Sequence, residues 1–158
     1  MKDSAEDRLL RLGLRLPAQS PPAARYANTV QANGLLFVSG KGPSGSPRGK
    51  LGSAFTTDDG YAFARAAGLE VLAVVKASLG SLDRVRRVVK VQGFVNAEPH
   101  FAEPHLVLDG FSELMVEVFG ERGVHARSVM GASSLRDQLP LVVDSIFEVD
   151  EDGRSAYR

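Results

Sequence analysis

The residues between Thr56 and Gly80 constrain the fold more than any other stretch. Phe63, Ala67, Val71 and Val74 repeat at helical spacing, and Leu69, Leu72, Lys76 and Leu79 form a second stripe beside them. Thr56 or Thr57 can cap this helix, Asp58 and Asp59 suit its positive end, and Gly80 stops it. Two adjoining stripes make a wide apolar arc, so the helix must be buried over a broad face. The small residues Ala64, Ala66, Ala67 and Gly68 let it lie close against a sheet.

The rest of the chain supplies that sheet. Residues 26–30 and 35–39 flank Asn33-Gly34, which is the pattern of a β-hairpin. Residues 84–96 alternate as a strand, with Val85, Val89, Val91, Gly93 and Val95 on one face and Arg86, Val88, Lys90, Gln92 and Phe94 on the other. A second helix follows Glu98-Pro99, carries Val107, Phe111, Leu114 and Val118, and closes at Gly120. Residues 126–132 and 141–149 read as strands around a polar loop at 133–140. The order is hairpin, helix, strand, helix, strand, strand. Two helices cannot cover both faces of such a sheet, so the expected class is α+β with both helices on one face. The other face is then solvated or covered by further copies of the chain.

A length of 158 residues fits one domain. Residues 1–25 read as a short helix capped by Ser4 and a Pro-rich connector, 26–149 as the α+β domain, and 150–158 as a polar tail. Lys+Arg and Asp+Glu are 19 each. A chain without net charge lacks the basic excess that phosphate neutralisation asks of a nucleic-acid binder. Arg84, Arg86, Arg87 and Lys90 form a basic cluster, with Arg84, Arg86 and Lys90 on one strand face and Arg87 on the other. It has no adjacent aromatic platform for RNA and reads as a solvated edge. The absence of cysteine removes disulfides, thiolate metal sites and cysteine nucleophiles. The first 16 residues lack an apolar signal core, and no stretch approaches a membrane span, so the expectation is a cytoplasmic protein with no membrane partner.

Few residues offer chemistry. The glycine loop at 40–52 lacks the spacing of a phosphate loop, and Lys50 is not followed by Ser or Thr. His100 and His105, near Glu98 and Glu103, lack a metal-binding spacing, and neither metal nor cofactor is expected. Ser39-Gly40 ends a strand and opens the glycine loop, either as a tight turn or as exposed backbone N–H groups for an anion or carbonyl. Arg127 opens an otherwise small and apolar run, Ser128-Val129-Met130-Gly131-Ala132. Its planar fork needs a partner: Asp144 or Glu148 on the next strand, or the carboxylate of a ligand.

In order along the chain stand Tyr26, Asn33-Gly34-Leu35-Leu36-Phe37-Val38-Ser39-Gly40, Gly49-Lys50-Leu51-Gly52, Gly80-Ser81-Leu82-Asp83-Arg84-Val85, Val118-Phe119-Gly120 and His125-Ala126-Arg127-Ser128. Together they resemble the YjgF/reactive-intermediate deaminase (Rid) family, also known under "endoribonuclease L-PSP" and "translation initiation inhibitor". The resemblance runs from about Tyr26 to Val149, and the longer N-terminal segment is similar to a divergent branch. It implies a chorismate-mutase-like α+β fold and a homotrimer whose ligand clefts lie between subunits. It also implies hydrolysis of small enamines and imines, such as 2-imino acids, to 2-keto acids and ammonia, without a cofactor. By the same resemblance Arg127 holds the substrate carboxylate, and Tyr26, Ser39 and Gly40 lie near the substrate. The family pattern Glu-x-Glu-Ala-Ile on the last strand places Val142 at the first acidic position and Asp144 at the second. Valine cannot orient or deprotonate water, which leaves Asp144 as the acid on the same strand face. The Gln that follows Ser-Gly in the family is Lys41 here. Three readings follow: an enamine/imine deaminase altered at Val142, a non-catalytic trimeric binder of small carboxylates or keto acids, and a ribonuclease or translation inhibitor, which the neutral charge disfavours.

Overall fold

A computed structural model describes residues 3–151. Its elements are α1 (Ala5–Arg11), β1 (Thr29–Ala32), β2 (Leu35–Lys41), α2 (Thr57–Leu79), β3 (Val85–Asn96), α3 (Pro104–Phe119), β4 (Ala126–Ala132) and β5 (Leu141–Val149). The five strands form one open sheet in the order β1-β2-β5-β3-β4. Every neighbouring pair is antiparallel except β3 and β4. That exception follows from connectivity. A parallel pair needs a long crossover, and α3 is the crossover between β3 and β4. The hairpin β1–β2 turns at Asn33 (φ 52°) and Gly34 (φ 75°), the left-handed pair that a two-residue turn requires.

Helix α2 starts where its chemistry says it should. Thr56 accepts from the Asp59 amide, and Asp59 returns the bond to the Thr56 amide, closing a capping box. Pro104 opens α3 at a first-turn position, where its missing N–H loses nothing. The two helices lie in close backbone contact. A Cβ on Gly110 would stand 2.1 Å from the Tyr61 carbonyl oxygen. Their buried faces, with Val71, Leu72, Phe111, Leu114 and Met115, meet Val88, Val91, Val143 and Phe147 of the sheet. Ala5 and Leu9 of α1 join the same core.

The expected α+β class and its element order hold, with three helices where two were counted for the layer. Three local expectations change. Strand β1 begins at Thr29, so Tyr26 lies in the turn before it, its amide bonded to the Ala24 carbonyl at 2.9 Å. Two register shifts in β3, between Val85 and Arg87 and between Val88 and Lys90, break strict alternation. Val88 therefore enters the core and Val89 leaves it, and Arg86 and Arg87 are both exposed. Arg84 sits outside the strand in a 3-10 turn, Leu82–Arg84, and donates to the carbonyls of Leu79 and Asp150, each at 2.9 Å. Most of the tail at 150–158 lies outside the described residues. Among the described residues no helix is long and apolar enough to cross a membrane.

Candidate active site

The sheet face turned away from the helices carries a groove of about 400 Å³. Register explains its lining. Asp144 stands opposite Gln92, Ile146 opposite both Lys90 and Phe37, and Val30 opposite Phe37. Ser39 and Gly40 close the groove where β2 is irregular between Val38 and Lys41. Ser39 is anchored to the preceding loop: its Oγ donates to the Ala27 carbonyl at 2.7 Å and its amide to the Asn28 carbonyl at 2.9 Å. Burial pushes the Asp144 carboxyl above the ordinary aspartate range. An acid on a partly desolvated wall, beside an amide and an ammonium, can hold a water or accept its proton.

Val142 is the next residue of β5 on this face, opposite Phe94. A Cβ on Gly40 would meet Val142 Cγ1 at 2.6 Å, so the β2 backbone rests directly on that methyl group. The place beneath Gly40 is thus filled by hydrocarbon. Asp144 is the acidic group in the groove lining. Tyr26 is not in the groove. It is 49% exposed, its hydroxyl accepts from the Ala23 amide at 3.3 Å, and it lines a neighbouring pocket that also touches Gly40.

Arg127 lies elsewhere. Its Cα pairs with Val91, so its side chain shares the helix-facing side of the sheet. Nη2 contacts Asp109 Oδ1 at 2.9 Å and the His105 carbonyl at 3.2 Å, and Nη1 donates to Ser112 Oγ at 3.1 Å. All three partners belong to α3. Asp144 and Glu148 are not its partners, contrary to the expectation from spacing. Strand β3 separates β4 from β5, and Asp144 points to the opposite face. From β2 to β4 there are three strand spacings, roughly 14 Å. Within one chain the structure brings Ser39, Gly40 and Asp144 together, sets Tyr26 beside Gly40, and keeps Arg127 apart.

The partners of Arg127 are part of a longer network. His125 Nδ1 lies 2.6 Å from the Gly123 carbonyl, which requires a proton on Nδ1 and leaves Nε2 to accept from Ser112 Oγ at 3.0 Å. Burial pushes the His125 pKa down, only partly opposed by the Gly123 bond, and the Arg127 charge lowers it further. A neutral imidazole thus fixes Ser112, and Ser112 and Asp109 fix the guanidinium. The signal in the sequence is the Asp109/Ser112 pair at i, i+3, two polar groups that share one helix face. His100 and Glu98 do other work: His100 Nε2 is 3.2 Å from the Gly52 carbonyl, and Glu98 accepts from Ser53 at 3.0 Å. Among the described residues no three His, Asp or Glu side chains gather as a metal site. Lys50 ties the glycine loop to its neighbours, donating to Asn96 Oδ1 at 2.8 Å and to the Ser133 carbonyl.

Residues 6–144 match the family model described as "YjgF/chorismate mutase-like, putative endoribonuclease". Protein TCP17 of Trypanosoma cruzi is 42% identical over 147 residues, covering 90% of this chain and 92% of the relative. The crystal structure of Atu1372 from Agrobacterium tumefaciens, a protein described as of unknown function, has 38% identity and a TM-score of 0.84, with 94% of each chain covered. A Shewanella oneidensis structure described in the same endoribonuclease terms has 30% identity and a TM-score of 0.89, covering 93% of this chain and 100% of its own.

Proposed function

The chain belongs to the YjgF/chorismate-mutase-like family, and from that premise we propose that it hydrolyses small enamines or imines of the 2-imino acid class in a cleft between copies of itself. The observation that carries this reading is the clamped guanidinium of Arg127. Three groups of α3 hold it in one orientation at the open edge of the sheet. With Nη2 engaged by Asp109 and His105 and one Nη1 hydrogen by Ser112, a guanidinium held this way can still give a remaining hydrogen to a ligand carboxylate oxygen and orient the atom next to it. The groove with Ser39, Gly40 and Asp144 then belongs to a second copy, because Arg127 cannot reach its own. In the family arrangement this is a homotrimer.

The reaction balances without a cofactor. Water adds its oxygen to the imine carbon, and a water proton passes to Asp144. That proton is delivered to the nitrogen, giving a carbinolamine; the remaining hydroxyl proton then passes to the same nitrogen, which leaves as ammonia while the C=O bond of the keto acid forms. Gly40 lines the groove on the side where the oxygen develops, while the Ser39 amide and hydroxyl stay bonded to Asn28 and Ala27 and fix that wall. The test is the rate of imine loss, with 2-aminoacrylate generated by threonine dehydratase or imino acids generated by an amino-acid oxidase. The wild type is expected to outpace solvent hydrolysis, and Arg127→Ala to lose about a hundredfold or more. A wild type no faster than solvent across several imines overturns the enzyme reading.

A second reading is favoured by the hydrocarbon beneath Gly40. Here the same cleft binds a small carboxylate or keto acid without turnover. Calorimetric binding of 2-ketobutyrate or pyruvate by an inactive wild type, with deamination gained in Val142→Glu, supports it.

A further inference from the structure

Among the residues that line the groove on the open sheet face, Lys90 is the one cation. Its side chain makes no hydrogen bond or ion pair among the described residues. The basic groups near it in sequence are otherwise engaged or turned elsewhere. Arg84 donates to the carbonyls of Leu79 and Asp150, and Arg86 lies 3.5 Å from the Asp150 carboxylate. Arg87 lines a separate hollow with Val124 and His125. Asp144 is the one acid of the groove lining, yet it forms no ion pair with Lys90. Glu148, the next acidic residue of β5 on this face, lines a different hollow with Arg86.

Register sets the order of these groups. Gln92 stands opposite Asp144, and Lys90 opposite Ile146, which on its other side faces Phe37. Lys90 and Gln92 share one face of β3, about 6.6 Å apart by strand rise. From the Asp144 end the groove therefore passes an apolar step, Ile146 and Phe37, and then reaches an ammonium. The proposed reaction puts the imine carbon at the Asp144 end, with its carboxylate on the Arg127 of a neighbouring copy. The substrate side chain then extends along this wall. A purely apolar side chain would suit Ile146 and Phe37 but leave the ammonium desolvated and unpaired, which is costly. A cationic side chain would be repelled by it. A side chain of two or three methylenes ending in a carboxylate answers both surfaces: hydrocarbon lies over Ile146, and the charge meets Lys90.

We propose that Lys90 selects the substrate, so that the cleft takes 2-imino acids carrying a second, distal carboxylate, of the 2-iminoglutarate type, and that the Lys90 ammonium holds this carboxylate. The inference rests on the imine-hydrolysing reading of the shared cleft and names its substrate class.

Two measurements test it, one with turnover and one without. In the first, 2-iminoglutarate is formed in situ by glutamate oxidase with catalase present, and 2-iminobutyrate by threonine dehydratase. The wild type is expected to favour the dicarboxylate by about tenfold or more in kcat/KM. Lys90→Met is expected to bring that ratio to about one, and Lys90→Arg to keep most of it. In the second, calorimetry compares 2-ketoglutarate with 2-ketobutyrate, and the same preference and the same loss in Lys90→Met are expected. A wild type that hydrolyses both imines at equal kcat/KM, or whose preference survives Lys90→Met, overturns the proposal and leaves the enzyme reading standing. A wild type that hydrolyses neither overturns the enzyme reading, and the calorimetric ratio then decides the role of Lys90: equal or absent binding overturns it. Loss of the assembly in Lys90→Met, read by light scattering, overturns the proposal too, because the ammonium then answers a group of the neighbouring copy.

Discussion

Arg127 and Asp144 carry opposite charges under opposite regimes. Arg127 is paired and hydrogen-bonded from one helix, whereas Asp144 faces the groove and its carboxyl is raised by burial alone. The folded chain therefore holds the Asp144 proton more tightly than the unfolded chain does. Stability falls as pH rises from the ordinary aspartate range through the folded value, and the loss is complete above it. Asp144→Asn is accordingly expected to melt higher than the wild type near pH 7, with the gap closing as pH drops below the ordinary aspartate range. Melting curves from about pH 3 to about pH 8 check this; a gap that stays constant or widens in acid contradicts it. Arg127 was legible in the sequence because a guanidinium in a run of small apolar residues needs a partner. The partner was not, because spacing along the chain points to Asp144 or Glu148, while strand order puts β3 between. Lys41 was legible as a departure from the family Gln, but its burial, like that of Glu70, was not, because both are enclosed by residues distant in the chain, Asn28 and Ser20 for Lys41 and Ser44 for Glu70.

At the scale of elements, the ends of α2 were readable because a cap is local chemistry: Thr56 and Asp59 satisfy orphan amides within one turn. The faces of β3 were misread at Val88 and Val89 because bulges depend on the partner strand and leave no mark in the alternation. Gly68 in α2 was legible as a small residue, but not which backbone approaches which. Gly110 is the critical one. Its Cβ position is blocked by the carbonyl oxygen and carbon of Tyr61 and by the Arg65 amide. Backbone cannot rotate aside as a side chain does, so Gly110→Ala must push the two helices apart. It is expected to destabilise the fold by about 2 kcal/mol or more. Gly131→Ala, whose Cβ would meet only Ala97 at 4.0 Å, should stay within about 0.5 kcal/mol of the wild type. Urea denaturation of the pair checks the contrast; equal midpoints would show that the helices can separate freely.

At the scale of the molecule, the sheet buries one face under helices and leaves Val30, Phe37 and Met130 on the other, at 58%, 42% and 43% exposure. Apolar side chains gathered on one side of a sheet, beside a groove that lacks its own arginine, fit the proposed trimer. Light scattering is expected to return about three times the chain mass of 16.9 kDa. Phe37→Glu, placed on that face and outside the core, should return the single-chain mass with the far-UV circular dichroism of the folded chain retained and a lower melting temperature, because association stabilises the folded state. A wild type at the single-chain mass would rule the shared cleft out.

Gly40 lines both hollows, the groove on the open face and the pocket over Lys41 and Glu70. One peptide unit is the partition between them, and it already rests on Val142 with no room for a Cβ. A ligand that shifts this peptide from one side changes the shape seen from the other. Any such effect is reciprocal by thermodynamic linkage: the factor by which one occupant alters the affinity of its neighbour equals the factor returned.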